Sequence, residues 1–338
     1  MWDFWSHNPE SLHQVLILMS DRGTPYGYRH MNGFGSHTFS MINHENDRVW
    51  VKFHFKSQQG IKNFTNESAI QMKGENPDFA QEDLVNAIED GNFPKWTLYI
   101  QVMTEDQAKE FRWNPFDVTK VWPKSEFPLI EVGEMELNEI PNNFFAHVEQ
   151  ATFSPSNLIN GISFSPDKML QGRLFSYPDA QRYRVGVNAN QLEVNRCPFA
   201  VNNYQRDGAM ADSSRYQDAP NYYPNSFDDI KPNPQYRNFE YDLDSSSVAH
   251  FNRNENDDDH YTQPGLLYTK AMNQQDRENL IHNIISSMKG ISGPKRDEII
   301  NRQLCHFFRA NIELGMKIAL GLQINIDANM MNHSKSEF

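Results

Sequence analysis

The stretch MLQGRLFSYPDAQRYRVG, residues 169–186, decides how the rest of the chain is read. Tyr177 stands four residues after Arg173 and seven before Arg184. Positions four apart on a helix share a face, so a helix here lays Arg173 beside Tyr177. Met169 starts the same line, and Arg184 falls two turns beyond the tyrosine. A guanidinium held against a phenol favours the phenolate by charge and by hydrogen bonding. Phenolate is a hard anionic donor suited to ferric iron, and tyrosine is one of the axial ligands that hold haem iron. A second arginine suits a haem propionate, because Arg grips carboxylates bidentately. On spacing alone, a surface helix with two ordinary arginines and a packed tyrosine accounts for the same pattern. Pro178 also argues against an undisturbed helix at this point.

Working outward, the chain of 338 residues is long enough for one large domain or two to three smaller ones. Hydrophobic residues make up 38% and aromatics 12%, enough for a substantial core. The formal net charge of -13 argues against a broad nucleic-acid surface. No run of 18 apolar residues is present, so no membrane span is expected. The start, MWDFWSHNPE, resembles no secretory signal. Two cysteines, Cys197 and Cys305, make neither a disulfide framework nor a zinc site, and fit a reducing compartment.

Three parts follow from the patterning. Residues 1–138 carry the strand signals. VWVKFHFK puts Val49, Val51, Phe53 and Phe55 on one face and Trp50, Lys52, His54 and Lys56 on the other; WTLYIQVM alternates likewise. PLIEVGEMEL changes phase at Gly133, which predicts a bulge. Between the strands, PDFAQEDLVNAIEDG predicts a helix with Gly91 just past its end. Residues 139–262, rich in Asn, Asp, Pro, Tyr and Ser, show little periodicity and read as disordered or as a wrapping segment held by its aromatics. Residues 263–338 predict helices: NQQDRENLIHNIISSMKG, closed by Gly290, and PKRDEIINRQLCHFF, with a proline near its start.

The block SPDKMLQGRLFSYPDAQRYR resembles the proximal haem segment of the haem catalases. So do SDRGTPYGYRHMNGFGSHTF, VKFHFKSQQGIKNFT, PKWTLYIQVMT, NPFDVTKVWP, FPLIEVG, NNYQRDGAM and APNYYPNSF in their places. Together they cover about the first 230 residues, the last two being similar to small-subunit, animal-like catalases. The resemblance implies an α+β fold: a catalase-like antiparallel β-barrel, its second half only in this chain, with a long wrapping segment and C-terminal helices. Carried over by position, Tyr177 matches the axial ligand of haem b and Arg173 the arginine that holds it as phenolate. Met169 and Arg184 match residues lining the haem. Asp167 and His37 match a polar chain behind the arginine; alone, His37 reads equally as a satisfied core histidine. Gln181 and Tyr183 lie where many animal catalases carry histidines.

The resemblance also implies an NADPH site at His13, Ser20, Arg22, Asn32, Lys56 and Trp122. The chemistry agrees: Arg22 and Lys56 neutralise phosphate, Ser20 and Asn32 hydrogen-bond, and Trp122 offers a stacking face. No Gly-rich dinucleotide fingerprint is present, and Arg22 and Lys56 by themselves read equally as solvated charge. Phe34 and Lys124 replace a common tyrosine and histidine of the family pattern.

The first residues match the middle of the family, so the segment that carries the distal histidine and asparagine is expected to be missing. Two function classes follow. One is a catalase that disproportionates hydrogen peroxide to water and oxygen, as a homotetramer, in the peroxisome or else the cytoplasm. The other is a catalytically inactive remnant or interaction module that keeps haem and NADPH surfaces.

Overall fold

Alternating apolar residues produce the strands at the centre of the molecule. The computed structural model describes residues 1–196, 220–227 and 259–325. Among these, β1 (Gly33–Phe34), β2 (Phe39–Ile42), β3 (Arg48–Ser57), β4 (Lys95–Thr104), β5 (Ile130–Glu136) and β6 (Ile162–Ser163) form one antiparallel sheet. The order is β5-β4-β3-β2-β6, with β1 also paired to β3. The long β3–β4 ladder runs from Val49↔Thr104 to Ser57↔Trp96 without a slip. The phase change in β5 is a bulge: Leu98 faces Gly133, Tyr99 faces Glu131, and Val132 is the extra residue.

Strand alternation often leaves the polar face in water. In β3 it does not. Trp50 and Lys52 are buried, because the segment 111–127 folds over them. Trp122 and Phe127 pack there with Trp50 and Met103, bordered by Phe111 and Phe116. Gln101, also buried, donates to the carbonyls of Trp122 and Phe127 and so ties the covering segment to β4.

The helices are α1 (Trp2–His7), α2 (Leu12–Met19), α3 (Asn66–Glu75), α4 (Phe79–Glu89), α5 (Glu105–Glu110), α6 (Lys168–Arg184), α7 (Thr262–Leu266), α8 (Gln274–Lys289), α9 (Arg296–Ala310) and α10 (Ile312–Gly321). Local chemistry sets their ends. Asn273 and Asp276 form a capping box at the start of α8, and the Asn311 side chain accepts from Leu314 N–H to start α10. Gly91, at φ +75, closes α4 in the left-handed region that glycine enters at little cost.

Sequence order groups α1 and α2 with the sheet, but they pack with the C-terminal helices. Trp2, Leu12, Val15 and Leu16 share one apolar core with Leu280, Ile284, Met288, Ile300, Leu304, Phe307, Leu314 and Ile318. Polar bonds tie the same elements: Trp2 Nε1 donates to Ser287 Oγ, and Arg302 reaches Asp3 and Ser6. At one contact the packing leaves no room for a side chain. A Cβ on Gly265 would lie 2.5 Å from the carbonyl oxygen of Ala310. Gly265→Ala is therefore expected to destabilise the helical body by about 1–3 kcal/mol, read as a lower midpoint in thermal unfolding; an unchanged midpoint would refute this close approach.

Candidate functional site

The head of α6 is fixed to the sheet before any reactive group appears. β2 and β6 pair through Ser40↔Ser163 and Met41↔Ile162. Ser40 Oγ donates to Phe164 O (2.9 Å), and Ser165 Oγ donates to Thr38 O. Asp167 then caps the helix, accepting from Leu170 N–H at 3.0 Å through Oδ1. Its other oxygen accepts from His37 Nδ1–H at 2.6 Å, both residues being buried. The carboxylate thus does two jobs, orienting His37 and starting α6.

Beyond this anchor α6 lies largely on the surface, with Leu170 its one buried residue. The helix runs through Pro178, contrary to the sequence expectation of a break. Proline forgoes only the bond its missing N–H would have made to Leu174, and on an exposed helix water substitutes for it. The continuity brings the expected pair together. Arg173 Nη2 donates to Tyr177 Oη at 2.8 Å, and its guanidinium carbon lies 4.9 Å from the ring centroid. Both side chains are half-buried, and Met169, on the same line, is 57% exposed.

Arg184 serves differently. It donates to Glu149 O, Ala151 O and Gln181 Oε1, so in this structure it holds the 149–151 backbone against α6. Phe144, Phe145 and Phe153, around that backbone, are exposed.

The donor set says what this place suits. Among the described residues no group of three or more His, Cys, Asp or Glu side chains is placed to hold a metal ion. A single phenol oxygen with an arginine against it cannot by itself satisfy a bare ion, which needs four or more ligands. It suits an iron whose other positions a macrocycle fills. The exposed Met169 offers apolar contact beside it. The residues present therefore fit haem.

The second constellation lies across the covered face of β3. His13 (α2), Arg22, Lys56 and Trp122 converge there. Burial, then the nearby charges of Lys120 and Arg22, push the His13 imidazolium down to about 4. Burial, then Lys124 and Arg22, bring the Lys56 ammonium down to about 8. Ser20 and Asn32 prove to be structural here. The Ser20 hydroxyl donates to Ile17 O and accepts from Arg22 N–H, and Asn32 Oδ1 accepts from Ser57 N–H. Trp122 is buried under Lys52, whose ammonium sits 5.2 Å from the ring. Trp122 Nε1 and His54 Nδ1 are buried without a hydrogen-bond partner among the described residues. Clustered cations and orphaned ring nitrogens fit a polyanionic, hydrogen-bonding ligand.

Sequence reasoning missed Lys52, His54, Gln101 and Lys120. The signal for the first two was the alternation that placed Lys52 and His54 beside Trp50. Lys52 is buried, donates to Lys120 O at 3.2 Å, and has its ammonium brought down to about 8 by burial against the opposing pull of Asp167 and Asp117. The blocks at 202–210, most of the wrapping segment, and Cys197 lie outside the described residues.

Comparison with known proteins agrees with this geometry. The family model described as Catalase matches residues 1–229, and the model described as Catalase-related immune-responsive matches residues 254–322. A catalase from the Onchocerca volvulus endobacterium is 53% identical over 328 residues, covering 97% of this chain and 67% of its own. Catalase A of Pseudomonas putida is 52% identical, covering 96% and 66%. Among solved structures, a bacterial catalase superposes with a TM-score of 0.83 at 40% identity, covering 95% of this chain and 65% of its own. Catalase A from Saccharomyces cerevisiae gives 0.82 at 39%. The chain spans about two thirds of the length of these relatives.

Proposed function

This chain belongs to the catalase family, and on that premise we propose that it binds haem b through Tyr177 and takes part in the disproportionation of hydrogen peroxide to water and oxygen. The observation that carries the proposal is the 2.8 Å bond from Arg173 to the Tyr177 phenol. Arg173 holds the oxygen in its anionic form at the position an axial ligand must occupy. Asp167, by capping α6 and gripping His37, keeps that oxygen at a fixed place relative to the sheet. Met169 contributes apolar contact, and Arg184 draws the 149–151 backbone alongside. A ferric haem bound there would supply the redox chemistry of peroxide decomposition. The reading includes NADPH in the cationic cleft of His13, Arg22, Lys56 and Trp122, and a homotetrameric assembly.

The test is titration of the 338-residue chain with haemin, followed by absorption, then oxygen evolution from hydrogen peroxide and mass in solution. One haem per chain with a phenolate-to-iron charge-transfer band is the expected result. Arg173→Gln is expected to weaken haem affinity roughly 10–100-fold, the usual cost of removing a partner that tunes a metal ligand. Equal affinity in the two proteins would remove Arg173 from the proposal. Haem uptake without oxygen evolution would instead favour a haem-binding relative that has lost turnover.

A further inference from the structure

In a chain of net charge -13, the end of β3 carries an unusual local excess of positive charge. The Lys56 ammonium lies 4.2 Å from the centroid of the Phe34 ring and shares a hydrogen bond with Lys124. Lys56 is half-buried, whereas Lys124, from the segment that covers the strand, is exposed. Arg22 faces Lys56 from the turn after α2. His13, on α2, faces Arg22 and Lys120. His54, two residues back along the same face of β3, is lowered chiefly by burial and also feels Lys56, Lys52 and Lys124. The nearest carboxylates in this neighbourhood, Asp117 and Asp167, act on Lys52 further down the strand. Two ammonium groups within hydrogen-bonding reach repel each other until one loses its proton or an anion comes between them.

We propose that Lys124, with Lys56 and Arg22, forms a receptor for the phosphate monoester of the nucleotide, and that ligand binding draws a proton onto the lysine pair. This rests on the NADPH reading above and adds to it a residue, a ligand preference and a proton coupling. The position is this chain's own, since the family resemblance places a histidine where Lys124 stands.

The sign of the pH effect follows from the charges. In the free protein the Lys56 ammonium is held down to about 8, chiefly by burial and next by Lys124. A phosphate monoester is a dianion above pH 7. Set between the two lysines it favours their charged forms, so Lys56 is protonated in the complex at pH values where it is neutral in the free protein. Affinity is then fully developed below pH 8 and falls as pH rises through it. From pH 7 to pH 9 the loss is roughly tenfold for one coupled proton. His13, at about 4, and Arg22 do not change charge in that interval. Lys52, also at about 8, does, but Lys124 is not among the charges that set it.

The experiment is calorimetric binding of NADPH and NADH to the full 338-residue chain and to Lys124→Ala, from pH 7 to 9.5. Paired buffers of different ionisation enthalpy count the protons. NADPH is expected to bind more tightly than NADH, to weaken roughly tenfold between pH 7 and 9, and to take up close to one proton at pH 9. NADH, which lacks the phosphate monoester, shows neither effect. Lys124→Ala weakens NADPH roughly tenfold or more at pH 7, the scale of a lost charge-assisted bond, and moves the break to higher pH. Equal binding of the two nucleotides, or a break that Lys124→Ala leaves in place, overturns the inference while the nucleotide reading stands; the second result assigns the titration to Lys52. Binding of neither nucleotide overturns the nucleotide reading and this inference with it.

Discussion

Replacing Tyr177 with phenylalanine will leave the fold intact and remove the phenolate signature of bound haem altogether. Phenylalanine has no oxygen, and among the described residues no cluster of metal-ligating side chains is placed to substitute. Arg173 then loses its acceptor and faces an apolar ring. The substitution is cheap for the fold, because α6 buries only Leu170 and Tyr177 is half-exposed. A stability change within about 0.5 kcal/mol is expected of such a site. Haemin titration followed by resonance Raman distinguishes the outcomes, with circular dichroism as the control for folding. Phenolate bands persisting in Tyr177→Phe, at wild-type intensity, would assign the ligand to another residue.

The largest effect on stability is expected at Phe307. This side chain is fully buried on α9, and its ring meets Trp2 edge-on with centroids 6.4 Å apart. Trp2 in turn stands 5.0 Å from Trp5 in the same manner. Phe307→Ala leaves a cavity at the contact between α1 and α9, which the surrounding helices fill only in part. The cost expected for a buried phenylalanine is about 3–5 kcal/mol. Urea unfolding monitored by tryptophan fluorescence reads it directly, since Trp2 and Trp5 report on this contact. A loss below about 1 kcal/mol would mean that α1 is not integrated into the helical core.

Patterning in the sequence was enough to locate β3, β4, α4, α8 and α9, because period-2 alternation and capped helical periodicity are local properties. The bulge in β5 was visible too, displaced by one residue from Gly133 to Val132. The Arg173–Tyr177 pair was legible from spacing four, although Pro178 pointed away from the helix that makes it. What stayed hidden depends on segments that meet from a distance. Nothing local tells that residues 111–127 cover Lys52, or that α1 and α2 leave the sheet to join the last helices. Ser20 and Asn32 were placed among ligand-binding residues because their side chains can hydrogen-bond; only coordinates reveal that Ile17, Arg22 and Ser57 already use them. Arg184 is the same lesson at the haem-side helix, its guanidinium drawn to backbone carbonyls. The identity of the family rests on long blocks of resemblance, not on these local rules.

The union of α1 with α9 has a consequence for how the polypeptide is made. Trp2 and Phe307 are among the first and last parts to leave the ribosome, yet each completes the other's burial. At synthesis rates of roughly 5–20 residues per second, Trp2, Trp5 and Leu12 wait about 15–60 s for their partners. Contacts of this sequence separation also slow folding, since the entropy of closing the loop is lost before any contact compensates for it. Nascent chains of this protein therefore carry an exposed aromatic terminus through most of translation. Chaperones that bind apolar segments have their longest opportunity there, and a stalled or prematurely terminated product lacking α9 keeps that terminus exposed for good.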